Sequence, residues 1–240
     1  MKEPIVDAGA EGVLDAWDGA HEDRRLLPAY IGDVIVPLLD GWKDFIMGDD
    51  PVESAGGDIR DTVPVLMGRV HFRDLVLASA LDPGHVDRGF IDEQIIRPMG
   101  ETAGRMMTDL LSGCFASPLT DSMDRRIRRA SDTLAALADR HRGESCEAAT
   151  LTGAAYLAWW SCDGTAALDL GRRALALDDD IDLAGIVIDA IGRDTYPHMP
   201  IHDDATRDDA PAERVTTSVA DPADPLGLSM GDGAVPGVAR

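Results

Sequence analysis

Two stretches of the chain hold residue types that bind metal ions. The first is His198 and His202, four residues apart and followed by Asp203 and Asp204. On a helix this spacing would bring two imidazoles together, as a zinc site requires. Pro200 lies between them, in a segment with the composition of coil, so nothing would hold that geometry and we predict no zinc site there.

The second stretch is Asp178–Asp180 with Asp182, which resembles the start of a calcium-binding loop. Leu183 and Ala184 follow, although such a loop requires a glycine and a more distant glutamate. Carboxylates also stabilise helix N-termini, and an apolar helix is predicted directly after this stretch. We therefore expect the aspartates to cap that helix, and we predict neither a metal ion nor a cofactor for the chain.

Acid–base chemistry would need His71, Arg73 and Asp74 to meet Asp61 in a cleft. A single histidine beside a helix start is more often structural or exposed. The sequence contains no GxSxG, GxxxxGK[S/T], HExxH or GxGxxG motif. No residue is therefore predicted to be catalytic.

Arginines and tryptophans offer the chemistry of a partner contact. The arginines of 125–129 could bind an acidic partner or a phosphate, or they could form a solvated helix face that acidic neighbours neutralise. Trp159 and Trp160 lie about 100° apart on a helix, so one ring could face a groove, although core packing of both is the alternative. The candidate partner-binding residues are Trp159, Trp160, Arg125, Arg126 and Arg129.

The charge of the chain narrows the class of partner. The sequence holds 22 Lys and Arg against 44 Asp and Glu, a net charge of −22. Such a charge repels phosphate backbones and anionic lipid surfaces. We expect a protein partner, and neither nucleic acid nor membrane; the oligomeric state stays open.

Cysteine usage and apolar runs indicate the compartment. Cys114, Cys146 and Cys162 are far apart and show neither CxxC nor Cys/His ligand spacing, so neither a zinc site nor a disulfide framework is predicted. The sequence MKEPIVDAGAEG at the start has no apolar leader, and the apolar runs are too short to span a bilayer. These features predict a cytoplasmic protein.

Apolar residues recur at helical spacing and never alternate, which predicts an all-α fold. The clearest helix covers 121–142, with a narrow stripe through Met123, Ile127, Leu134, Leu137 and His141. We predict a flexible start at 1–8, an irregular helical domain at 9–194 and a disordered acidic tail at 195–240. The tail is rich in Pro, Gly, Asp and Ser and too poor in apolar residues to offset its ordering entropy.

The end of the predicted domain has the pattern of a helical hairpin packed on alanine. Small residues recur where two helices should cross, and Asp163-Gly164 supplies the turn between them. The small residues are Ala155, Ala158, Ala167 and Ala174. We expect larger side chains at these positions to be poorly tolerated.

Two stretches carry a resemblance to a known family. AWWSCDGTAALDLGRRALALDDDIDLAGIVIDAI at 158–191 resembles the C-terminal end of the DUF4192 family, an actinobacterial family of unknown function. VPVLMGRVHFRDLVLASAL at 63–81 is similar to that family's central helix through Arg73-Asp74-Leu75. The resemblance covers 10–195 and lacks the family's N-terminal part, so it implies a truncated or split member. It implies no activity and no functional residue.

Residues 151–180 are also similar to a single tetratricopeptide unit. Ala155, Ala167 and Ala174 fall where that repeat has small residues. No second copy follows at the repeat period, and stacked repeats need about three copies for stability. A generic alanine-packed hairpin is the alternative.

Together these features favour a non-catalytic helical module that binds another protein. The alternative is a subunit or half of an enzyme whose catalytic part is encoded elsewhere. The first hypothesis predicts a groove lined by apolar residues. The second predicts a cleft where Asp61, His71, Arg73 and Asp74 converge.

Overall fold

The computed structural model describes residues 9–198, and every regular element in this range is helical. The predicted all-α class is confirmed. The helices of the first half are α1 Gly9–Glu22, α2 Leu27–Tyr30, α3 Val36–Met47, α4 Val63–Met67, α5 Val70–Leu81 and α6 Arg88–Ile96. Those of the second half are α7 Glu101–Ala116, α8 Asp121–Arg140, α9 Glu147–Trp160, α10 Gly164–Leu177 and α11 Asp182–Gly192. A short 3₁₀ turn covers Val52–Ser54.

Two π-helical turns, each preceding an α-helix, interrupt the first half. Ile31–Ile35 connects α2 to α3, and Asp58–Thr62 leads into α4. Each following helix has a proline in its first turn, Pro37 or Pro64. Proline gives no N–H to the carbonyl four residues earlier and clashes with it, so the chain widens into a π turn just before the proline.

Helix α9 lies at the centre of the core. Leu151, Ala154, Leu157 and Trp160 are fully buried, and polar residues of this helix, such as Thr150, are buried as well. A helix without a solvated face needs neighbours on every side. Helix α8 packs along one side of α9 and α10 along another, while α4, α5 and α11 also contact it.

The predicted α9–α10 hairpin is present. Ala167 and Ala174 are fully buried at its interface, and the Asp163 carboxylate accepts a hydrogen bond from the Ala166 N–H at 3.0 Å, which caps α10. Gly164 lies beneath the Tyr196 ring, where an added Cβ would be 2.2 Å from the phenol oxygen. Glycine is therefore required at this position for close approach, while the left-handed residue of the turn is Cys162, with a φ of 58°.

The packed part of the chain continues past the predicted boundary at residue 194. The Thr195 carbonyl accepts a hydrogen bond from Trp159, and the His198 ring lies 5.6 Å from that of Trp160. The predicted flexible start at 1–8 and nearly all of the predicted tail, 199–240, lie outside the described residues. Within residues 9–198, no helix combines the length and apolar character that crossing a bilayer requires.

Candidate functional sites

The arginines of α8 bind the C-terminal ends of other helices. Arg126 donates from Nε to the Ala80 carbonyl at 2.8 Å and from Nη2 to the Leu81 carbonyl at 2.7 Å. These are the last two residues of α5, where carbonyl groups lack helical donors and the helix dipole is negative. Arg126 therefore caps α5 from a distant part of the chain.

Arg129 and Arg128 make the same kind of contact with α3 and α9. Arg129 Nε donates to the Phe45 carbonyl at 2.9 Å, its Nη2 donates to the Asp50 carbonyl, and its guanidinium carbon lies 4.5 Å from the Phe45 ring centroid. Arg128 Nη2 donates to the Ser161 carbonyl at 2.8 Å. Arg126, Arg128 and Arg129 thus connect α8 to the C-terminal ends of α5, α9 and α3.

These contacts give Arg126 and Arg129 a role in the fold, and their role as partner-binding residues stays a prediction. The sequence suggested neutralisation by acidic side chains, and Arg128 does pair with Asp124 at 2.9 Å. Arg126 and Arg129 instead donate to backbone carbonyl oxygens, a role that sequence spacing does not reveal. Arg125 is exposed, and it lines a cleft of about 630 Å³ between α8 and the segment after α3 together with Arg126, Arg128 and Arg129.

Both predicted tryptophans lie in the core. Trp160 is fully buried, and Trp159 is 8% exposed with its Nε1 donating to the Thr195 carbonyl at 2.8 Å. Phe115, Tyr156 and His198 complete one aromatic cluster around them. In this arrangement neither indole presents a free face to a partner, in agreement with the core-packing alternative.

The four residues suggested for acid–base chemistry do not converge. Arg73 pairs with its neighbour Asp74 at 3.0 Å, whereas Asp61 lies 3.8 Å from Arg140 of α8. Burial lowers the pKa of His71, which favours its neutral form. Arg73 and Asp74 line a pocket of about 240 Å³, and neither Asp61 nor His71 is among the residues that line it.

The predictions for the two stretches that hold metal-binding residue types have different outcomes. Asp178, Asp179 and Asp180 are exposed with their carboxylates close together, but the residue preceding α11 is Ile181, which makes no side-chain cap. The predicted side-chain cap of α11 is therefore wrong, and Asp178 instead accepts a hydrogen bond from the Asp180 N–H at 3.1 Å within the turn. Asp182 does lie in the first turn of α11, where a carboxylate complements the helix dipole. His198 lies against the Ser117 carbonyl at 3.1 Å, and His202 lies outside the described residues.

An apolar groove lies between α1, α3 and the two π-helical turns, and we call it the α1–α3 groove. Its volume is about 210 Å³. Val34 comes from the first π turn and Ile59 from the second, while Val13 of α1 and Leu38 of α3 complete the apolar wall. Gly41 of α3 also faces the groove, and an added Cβ there would meet nothing within 4 Å.

The rim of this groove carries one carboxylate. Asp58 lines the groove and is exposed. Sequence reasoning missed the groove because the residues that line it are distant in sequence. The usable signal was Pro37 and Pro64, each of which forces a local change of helix before it.

Comparison of the chain with protein-family models, curated proteins and solved structures gives no match. The resemblance to the DUF4192 family therefore stays a prediction from the residues quoted for it. The fold and the surface geometry are the basis for any functional proposal.

Proposed function

We propose that this chain is a protein-interaction module whose α1–α3 groove receives an apolar anchor side chain from a basic segment of a partner protein. The observation that carries the proposal is the convergence of two π-helical turns on one apolar groove. π-Helical residues make up well under about 1% of globular proteins and recur at functional sites.

The size of the groove suits a side chain better than a free ligand. Pockets for small molecules usually hold about 300–1,000 Å³, whereas this groove holds about 210 Å³. Binding energy in protein interfaces concentrates in a few anchors that fill such pockets. Val34, Leu38 and Ile59 supply the desolvated wall that an aliphatic or aromatic anchor requires.

The charge around the groove specifies the rest of the partner. The chain carries a net charge of −22, and Asp58 lines the groove itself. Lys or Arg residues beside the anchor would face this carboxylate and would be steered toward the acidic chain during encounter. An acidic segment would meet like charge, so the same groups also discriminate between partners.

The alternative, an enzyme half, lacks a comparable supporting observation. It requires His71, Arg73 and Asp74 to approach Asp61, and Asp61 instead neighbours Arg140. The DUF4192 resemblance adds no activity to either hypothesis. The groove therefore favours the interaction module.

Selection from a random peptide library on the full chain tests the proposal. Gly41→Leu places a side chain into the groove, and nothing lies within 4 Å of the added Cβ, so the helix should tolerate it. Gly19→Leu in α1 is the matched control, because its Cβ is equally unobstructed and Gly19 does not line the groove. Both changes also raise helix propensity by about 1 kcal/mol.

Selected peptides should carry net positive charge and one large apolar residue. Their affinity should fall at least about tenfold in Gly41→Leu and stay unchanged in Gly19→Leu. Peptides that bind both variants equally, or that are enriched in acidic residues, would contradict the proposed site.

A further inference from the structure

Three potential metal ligands lie together in the loop between α8 and α9. His141 Nδ1 lies 2.8 Å from Glu144 Oε2, and Cys146 Sγ lies 4.0 Å from the same oxygen. One ligand atom from each residue falls within 4.8 Å of the other two. The groove proposed above lies elsewhere and shares none of these residues.

These separations are close to what a tetrahedral ion imposes. Zinc–ligand bonds of about 2.0–2.3 Å place neighbouring ligand atoms about 3.3–3.8 Å apart. Small side-chain rotations would bring the three atoms into this range, and the Glu144 side chain is more than half exposed and free to adjust. Imidazole, carboxylate and thiolate are the ligand types that zinc combines.

A hydrogen bond on the far side of the His141 ring fixes its orientation. Its Nε2 donates to the Arg60 carbonyl at 2.9 Å, which points Nδ1 toward Glu144. Pro64 lies four residues after Arg60 and has no N–H to offer that carbonyl, so the π turn leaves it available to histidine. Metal-bound histidines characteristically donate their second ring N–H to a carbonyl or carboxylate in this way.

The loop itself is held in a tight, specific conformation. Gly143 has a φ of 83°, in the left-handed region that favours glycine. Its N–H donates to Glu147 Oε2 at 2.6 Å, and Glu147 is buried at the start of α9. The backbone that carries the three ligands is therefore anchored without them.

A cleft of about 540 Å³ opens beside the ligands. Glu144, Ser145 and Cys146 line one side, and Val65 and Arg69 line another. An ion held by three protein ligands keeps its fourth position for water or another small ligand. The cleft gives that position access to solvent.

We propose that His141, Glu144 and Cys146 form a binding site for a zinc-type divalent cation with a fourth position open to this cleft. Cys/Cys and Cys/His spacing did not predict it, because the chain supplies one ligand of each type as His-x-x-Glu-x-Cys. Binding releases the thiol proton of Cys146 and the Nδ1 proton that His141 otherwise donates to Glu144. The ion takes the place of that proton, so affinity rises with pH.

Cobalt(II) titration of the chelator-treated full-length chain tests the site. One tetrahedral cobalt ion per chain is expected, with visible d–d bands and a near-ultraviolet thiolate-to-cobalt band, and zinc should displace it. Cys146→Ser should abolish the thiolate band, while Cys114→Ser, a buried cysteine elsewhere in the fold, should leave it intact. Circular dichroism checks that both variants fold.

Glu144→Gln provides an independent test because its side chain is exposed and its loss should not unfold the chain. Cobalt affinity should fall at least about tenfold, and zinc should raise the melting temperature of the wild type more than that of the variant. Octahedral cobalt without a thiolate band, or an unchanged band in Cys146→Ser, would overturn the site.

Discussion

Arg126, Arg128 and Arg129 show how single side chains can organise a helical fold. Each reaches carbonyl groups at the end of a different helix, α5, α9 or α3, where intrahelical donors are missing. A guanidinium offers several N–H groups in a rigid plane, so it can satisfy two carbonyls at once. The positive charge also complements the negative ends of the helix dipoles.

Arg129→Ala is expected to reduce the free energy of unfolding by about 1.5–3 kcal/mol, because it leaves the end of α3 without its charged donor. Arg125→Ala, on the same helix but exposed, should cost less than about 0.5 kcal/mol. Urea denaturation of the two variants measures the difference. Equal losses would mean that the helix-end contact adds nothing to stability.

Tyr156 is expected to make the free energy of unfolding depend on pH in the alkaline range. Burial raises the pKa of its phenol to about 12, from an ordinary value of 10.0. A phenol whose pKa is higher in the folded state than in the unfolded state stabilises the fold while it stays protonated. That contribution is complete below the unfolded-state pKa and is lost as pH rises through the folded-state pKa. The wild type should therefore lose stability between about pH 10 and pH 12, and Tyr156→Phe should lose less.

Denaturant midpoints measured across this pH range test the role of Tyr156. The ultraviolet absorbance of the folded protein should also show one fewer late-titrating phenol in the variant. Parallel stability curves for the two proteins would show that Tyr156 ionises at its ordinary pKa.

At the scale of elements, the α9–α10 hairpin was the most predictable part of the fold. Small residues at helical spacing and the Asp163-Gly164 turn are local signals, and local signals can be recognised in a sequence. The π turns before α3 and α4 could be predicted only in part. Pro37 and Pro64 indicate an interruption, but whether the chain breaks, kinks or widens depends on what packs around it.

Ala167→Leu is expected to overpack the hairpin. Ala167 is fully buried against α9, so extra methylenes must displace neighbouring side chains at a cost of about 1–3 kcal/mol. Arg172→Ala, on the exposed face of the same helix, should cost less than about 0.5 kcal/mol. Denaturant melts compare the two, and a fully tolerated leucine would mean that α9 and α10 pack less closely than described.

At the scale of the whole molecule, helical content was predictable and the surface sites were not. The α1–α3 groove joins Val13, Val34 and Ile59, and the metal-type cluster depends on the Arg60 carbonyl more than 80 residues before Cys146. The groove arises from tertiary packing, which one sequence does not encode in any local pattern. The three metal-type ligands are close in sequence, but whether their side chains meet depends on the loop conformation and on the contact of His141 with Arg60. Among the aspartates before α11, the position of the N-cap depends on the local turn, in which Ile181 precedes the helix.

The net charge of −22 also acts on the whole molecule. It favours solubility, and it speeds encounter with basic partners at low ionic strength. Charge alone does not select a contact point, and we propose the apolar groove with Asp58 at its rim as that point. The position at which a basic segment with an apolar anchor binds is therefore the quantity to measure.

Methyl nuclear magnetic resonance of the full chain, titrated with one of the selected peptides, measures the position of peptide binding most directly. The account predicts saturable shifts concentrated on Val13, Val34, Leu38 and Ile59, and their loss in Gly41→Leu. Another pocket, of about 240 Å³, provides the contrast; Met107, Leu111 and Leu183 line it together with Arg73 and Asp74. Shifts concentrated there, with the α1–α3 groove unperturbed, would contradict the account.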